Sequence, residues 1–209
     1  MKTASKPTPT STKAGEWLSW ICDSTSTEQL RRRYNAWAKD YDAQVCDSWH
    51  AVPEAAAKLL ARHCQTRDVP LLDAGAGTGL VGVALASHGF VNMTALDLSE
   101  GMLQEAMAKR VYNGFVRGDL EDPHVLPHGY AAVVSVGVFA TGHGGPSALR
   151  NLARFVEPGG LLLLTARGVY RKVLLPELRS MPFESIERMT LPVYDGELIE
   201  LELMRRRPT

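Results

Sequence analysis

Three acids and three glycines stand at intervals that chemistry could use. Asp73 precedes glycines on alternate positions, Gly75, Gly77 and Gly79, in LLDAGAGTG at residues 71–79. Asp97 closes MTALD twenty positions beyond Gly77, and Asp119 ends VRGD. Glycines between a strand and a helix let a ligand approach the backbone at the helix N-terminus. A dinucleotide site rests a pyrophosphate there, with the spacing G-x-G-x-x-G and an acid about 20 residues later on the ribose. Here the third glycine comes one residue early, and Asp73 would set a negative charge against a pyrophosphate at short range. A ligand that is cationic near the loop and carries a ribose suits the pattern better. S-adenosylmethionine (SAM) has a sulfonium, an ammonium and no phosphate. Its ribose hydroxyls have an acceptor in Asp97, and Asp119 would stand near its adenine amino group.

The elements that position these acids are legible as an alternation. VPLLDAG reads as a strand, GLVGVALASHG as a helix and VNMTALDLS as a second strand, which indicates a parallel sheet. A helix capped by Ser99 follows, then a third strand in NGFVRGDLED, a fourth in YAAVVSVGVFA, a helix ended by Pro158 and its glycines, and a fifth strand in LLLLTARG. YRKVLLPELRSM supplies a helix, and FESIERMTLPVY and ELIELELMRR form a hairpin turning at Asp195-Gly196, which makes the last strand antiparallel. The expected fold is α/β: a Rossmann-like, seven-stranded, mostly parallel sheet with an antiparallel last strand, helices on both faces and an N-terminal helical cap. The expected organisation is a disordered leader over 1–14, rich in Thr, Ser, Pro and Lys, the helical cap over 15–66 and a SAM-binding core over 67–209, one domain overall. In the cap, Tyr34, Trp37, Ala38 and Tyr41 recur at helical spacing, and Pro53 opens a further helix.

Composition excludes several classes. The 209 residues are 45% hydrophobic and 22% charged, with 23 basic residues against 23 acidic. There is no global field to draw nucleic acid or an anionic membrane. The short runs Arg31–Arg33 and Arg205–Arg207 read as a solvated helix face and a frayed end. Cys22, Cys46 and Cys64 are an odd number at wide spacings, which suits neither a disulfide framework nor a metal site and implies a reducing, cytoplasmic setting. No apolar run approaches the roughly 20 residues of a membrane span.

LLDAGAGTGLVG, ALDLSEGML, VRGDLED and EPGGLLLLTARG, in that order, resemble the successive motifs of class I SAM-dependent methyltransferases. YNAWAKDYDAQV, GAGTGLVGVALASHGF, LDLSEGMLQEA and VGVFATGH are similar to the methyltransferase-like protein 27 group of that family, and the resemblance covers residues 34–205. It implies that the loop Gly75, Ala76, Gly77 to Gly79 lies against the methionine part of SAM, with Asp73 near its ammonium. It further implies that Asp97 holds the ribose, Leu98 and Met102 flank the adenine, and Asp119 and Leu120 meet its amino edge and face. The strand end around Ser135, Val136 and Gly137 would pass beneath the sulfonium, and Tyr34, Trp37 and Tyr41 would close over the methionine end. S-adenosylhomocysteine would be the product.

On the acceptor side, His143 in FATGHGG follows the fourth strand, where an imidazole could take a proton from a nucleophile or bind the acceptor. Positioning and exclusion of water can also suffice without a base. Arg167 and Tyr170 follow the fifth strand; His50, His63, His88, His124 and His128 show no partner pattern. The fourth-strand exit SVGVFAT lacks the Asn/Asp-Pro-Pro-aromatic signature of amino-methylating enzymes and the acid of metal-dependent catechol methyltransferases. The expectation is methyl transfer from SAM to a small-molecule acceptor, with no metal, nucleic-acid or membrane partner. The alternatives are an NAD-dependent oxidoreductase and a non-catalytic SAM-binding partner protein.

Overall fold

Among the described residues, seven strands form one sheet. A computed structural model describes residues 8–9, 14–49, 51–122, 124, 129–193 and 197–208, backbone alone at 14 and 46–48. The expected leader falls almost wholly outside the described residues, as do His50, His128, the Asp195-Gly196 turn and the Cys46 side chain. The strands are β1 (Leu71–Ala74), β2 (Met93–Asp97), β3 (Gly114–Arg117), β4 (Tyr130–Phe139), β5 (Val156–Arg167), β6 (Phe183–Pro192) and β7 (Leu198–Arg206). Their order in the sheet is β3-β2-β1-β4-β5-β7-β6; β1 to β5 pair in parallel, and β7 lies antiparallel between β5 and β6. The mostly parallel sheet with an antiparallel last strand is therefore as expected.

All four β1 residues are buried, the signature of a strand covered on both faces. One face packs α3 (Ala51–His63), α4 (Leu80–Ser87) and α5 (Glu100–Ala108) through Leu59, Leu60, Leu85 and Leu103. The other packs α6 (Pro146–Phe155) and α7 (Gly168–Ser180) through Leu149, Leu152 and Leu174. Two further helices, α1 (Ala14–Cys22) and α2 (Thr27–Trp49), share a cluster of Trp17, Trp20, Ile21, Trp37 and Val45. They lie over the ends of β1, β2 and β4, where Thr78 and Ser99 bond to α2. The third helix read from the sequence as part of the cap packs on the sheet beside α4 instead.

Local chemistry sets the boundaries. Gly79 caps α4 with φ 90°, a left-handed conformation that favours glycine. Ser99 caps α5 by accepting from the Met102 amide at 3.1 Å. α6 stops at Phe155, before the expected Pro158, because Val156 is already extended and paired with Tyr130. The Glu157–Gly160 stretch then falls in a register shift of β5, with Gly159 at φ 81°. The basic runs also differ from expectation. Arg31 and Arg32 pair with Glu28 at the surface, but Arg33 turns inward, 4.9 Å over the Trp20 ring. Arg205 and Arg206 lie in β7, and Arg206 donates to the Ala153 and Val156 carbonyls where α6 ends.

Candidate active site

The carboxyl end of the sheet holds a cavity of about 360 Å³, within the range of small-ligand sites. Gly75 and Gly77 form part of its wall because the chain turns left-handed there, at φ 79° and 55°. A Cβ on Gly75 would lie 2.1 Å from Val138 Cγ2. Asp97, at the end of β2, is buried beside the loop; its Oδ2 accepts from the Gly77 amide at 2.8 Å and its Oδ1 from the Ser99 amide at 2.8 Å. Burial raises the Asp97 pKa, and the amides of Ser99, Gly77 and Leu98 work in the other direction. Leu98, Met102, Asp119, Leu120 and Val136 also line this cavity. Asp119 Oδ1 accepts from the Glu121 amide at 2.9 Å, an Asx turn that ends the third-strand segment and stops β3 at Arg117.

Asp73 is fully buried behind the loop and is not part of the cavity wall. Tyr112 donates to its Oδ2 at 2.6 Å, while Oδ1 has no hydrogen-bond partner among the described residues. Burial pushes its pKa up to about 7, against the Tyr112 hydrogen bond. Such a buried oxygen, in contact with the loop by field alone, fits a ligand bearing positive charge and opposes a pyrophosphate. Ala76 is also buried away from the cavity, and its amide donates to Leu96 O at 2.9 Å.

Of the aromatic row, Tyr34 and Tyr41 line the cavity. Trp37 does not: it is 0% exposed, stacked on Trp17 at 5.5 Å and edge-on to Tyr41 at 4.7 Å. A cofactor contact for Trp37 is thus replaced by a core role that holds Tyr41 in place. Other positions went unread in the sequence. Asn35 Oδ1 accepts from Ser99 Oγ at 2.6 Å and Gly101 N at 2.9 Å, and Asp42 takes Thr78 Oγ1 at 2.5 Å and Lys109 Nζ at 2.7 Å. These bonds tie α2 to the glycine loop and to α5. Their only sequence signal is polar residues on a helix whose aromatic face is already committed. Ser24 to Ser26, between α1 and α2, and Thr27 at the start of α2 also reach the cavity wall.

His143 lies where Tyr34, Tyr41 and Gly137 separate this cavity from a second chamber of about 50 Å³. Its Nδ1 lies 3.1 Å from the Thr141 carbonyl, which can only accept, so Nδ1 carries the proton. Nε2 then accepts from the Tyr34 hydroxyl at 2.7 Å. Burial lowers the His143 pKa and raises that of Tyr34 well above its usual value, so both groups are neutral near pH 7. Arg167 borders the second chamber, and Tyr170 instead bonds to Gly144 O at 3.0 Å.

An alternating α/β sheet with the antiparallel β7, a glycine loop and an acid at the end of β2 give the domain the Rossmann-like architecture seen in SAM-dependent methyltransferases, the class whose motifs the sequence resembles. Residues 71–160 match the family described as Methyltransferase domain. The chain is 34% identical over 143 residues to human methyltransferase-like protein 27, covering 64% of this chain and 56% of that one. It is 27% identical over 143 residues to malonyl-[acyl-carrier protein] O-methyltransferase of Serratia marcescens, covering 68% and 54%. The chain thus spans about half the length of the curated relatives it matches. Among solved structures, magnesium protoporphyrin IX methyltransferase of Synechocystis PCC 6803, with bound SAM, has the same fold, at a TM-score of 0.61 and 17% identity over 91% of this chain and 90% of that one.

Proposed function

We propose that the protein transfers a methyl group from SAM to a small-molecule acceptor in a cytoplasmic setting. The observation that carries this reading is the Asp97 carboxylate, fixed by the Gly77 and Ser99 amides on the wall of the main cavity. In that position it accepts from ribose hydroxyls, with Leu98 and Met102 at one side of an adenine and Asp119 and Leu120 at the other. Gly75 and Gly77 admit the methionine part, and Asp73 supplies negative potential behind it. Bound SAM supplies a methyl on a positively charged sulfur that is a good leaving group. Val136 and Gly137 set the floor, Tyr34 and Tyr41 exclude water, and His143 holds Tyr34 and faces the acceptor side. Zero net formal charge and a site roofed by α1 and α2 favour a small acceptor over nucleic acid or a membrane.

Calorimetric titration with SAM, S-adenosylhomocysteine and NAD tests the reading. Saturable one-to-one binding of the first two, with none of NAD, is expected; preference for NAD would return the chain to the oxidoreductases. Asp97→Ala should lose roughly 2 to 3 kcal/mol of SAM affinity with the paired hydroxyl bonds. If the chain is a binding partner that has lost catalysis, the same titration succeeds but no acceptor yields S-adenosylhomocysteine.

A further inference from the structure

The second chamber is not needed to hold SAM, yet it shares Tyr34, Tyr41, Gly137 and His143 with the main cavity. Gly137 is the threshold between them. It has φ 82°, its amide donates to Thr165 Oγ1 at 2.8 Å, and a Cβ there would lie 3.0 Å from the Trp49 ring. The chamber's walls are mostly apolar, with Leu18, Val45, Trp49, Phe139 and Ile199. Arg167 brings the formal positive charge among its lining residues. Arg167 pairs with Glu197 at 3.2 Å at the protein surface, and its positive charge still reaches Tyr34 and His143.

The three polar side chains at the threshold, Tyr34, Tyr41 and His143, are poor bases, the Tyr41 hydroxyl because burial raises its pKa and keeps it protonated. His143 already uses Nδ1 as a donor and Nε2 as an acceptor, and the Tyr34 proton is committed to Nε2. An acceptor that must lose a proton finds no free base here among the described residues. One that arrives as an anion needs none, and a cation on the chamber wall would orient it. We infer that the second chamber receives the carboxylate end of a small, otherwise apolar acceptor, which Arg167 holds for methylation on oxygen. This rests on the proposed SAM site. In the transfer, a carbon–oxygen bond forms from a carboxylate lone pair as the sulfur–methyl bond breaks, its electron pair stays on sulfur, and no proton is released. At about 50 Å³ the chamber accommodates a carboxyl group with a short stem, since about 10–15 Å³ on the same measure holds one water.

The test uses the full chain saturated with S-adenosylhomocysteine, titrated with butyrate, butan-1-ol and butylamine. Butyrate should bind at least ten-fold more tightly than the alcohol or the amine. Arg167→Gln should abolish that preference while S-adenosylhomocysteine affinity stays within two-fold, and Arg167→Lys should restore part of it. Equal or tighter binding of butylamine, no binding of butyrate, or an unchanged preference in Arg167→Gln would overturn the inference. Failure of S-adenosylhomocysteine itself to bind the wild-type chain would instead overturn the cofactor reading beneath it.

Discussion

Burial, with the charge of Asp97 nearby, pushes the Asp73 pKa up to about 7, so its charge depends on pH in the physiological range. An ionised Asp73 favours a cationic ligand; a protonated one does not. SAM affinity should therefore rise as pH increases through about 7, and Asp73→Asn should flatten that dependence in titrations between pH 6 and 8. The stability consequence has the opposite sense. The folded pKa is raised above the unfolded 3.8, so between these values the folded state alone holds the proton. Wild-type stability from this group is greatest below about 3.8, falls as pH rises towards 7, and is level above. Asp73→Asn should gain stability relative to wild type across that window, by on the order of 4 kcal/mol at most, in urea unfolding at stepped pH. Gly82 makes the partner of Asp73 possible. A Cβ at Gly82 would lie 2.2 Å from the Tyr112 ring and hydroxyl. Gly82→Ala should therefore destabilise by about 1–3 kcal/mol, despite alanine's higher helix propensity. A more stable variant in denaturant melts would disprove the Tyr112 contact.

α2 shows why part of the site was legible and part was not. The spacing of Tyr34, Trp37 and Tyr41 identifies one helix face, and that face does meet the cavity end of the sheet. A helical stripe is wide, however, and nothing in a single sequence says which member reaches the ligand and which reaches the neighbouring helix. Trp37 went to Trp17, and Tyr34 and Tyr41 stayed on the cavity. The glycine loop, Asp97 and Asp119 were legible because a strand end followed by a tight turn fixes a residue's place almost independently of the rest. Asn35 and Asp42 were not, since the partners of the first are 64 and 66 positions away and those of the second 36 and 67. Trp37→Ala should cost about 3–5 kcal/mol of stability as a core cavity. Asp42→Ala should leave the melting midpoint nearly unchanged yet weaken S-adenosylhomocysteine binding in calorimetry, because it frees α2 from Thr78 and Lys109. Equal affinity in that variant would show that the cavity closes without this link.

At the scale of the molecule, the cavity is walled by parts of the chain that lie far apart in sequence: the α1–α2 connection, the ends of β1, β2 and β4, and the segment around His143. A ligand there binds the folded state alone, so S-adenosylhomocysteine at 100 times its Kd should add about 2.7 kcal/mol to the unfolding free energy. A smaller gain in thermal or chemical melts would mean that the roof helices are already loose when the ligand is bound.

The strand order has a consequence for biosynthesis. β6 reaches the sheet only through β7, which is translated after it, and β7 must enter between β5 and β6. Until those nine residues leave the ribosome, β5 presents an unpaired edge and β6 has no partner, although every element that builds the cofactor cavity has already been made. The nascent chain thus passes through a stage in which its ligand site can assemble while its sheet edge remains open to other strands, and SAM itself could act at that stage as a folding aid.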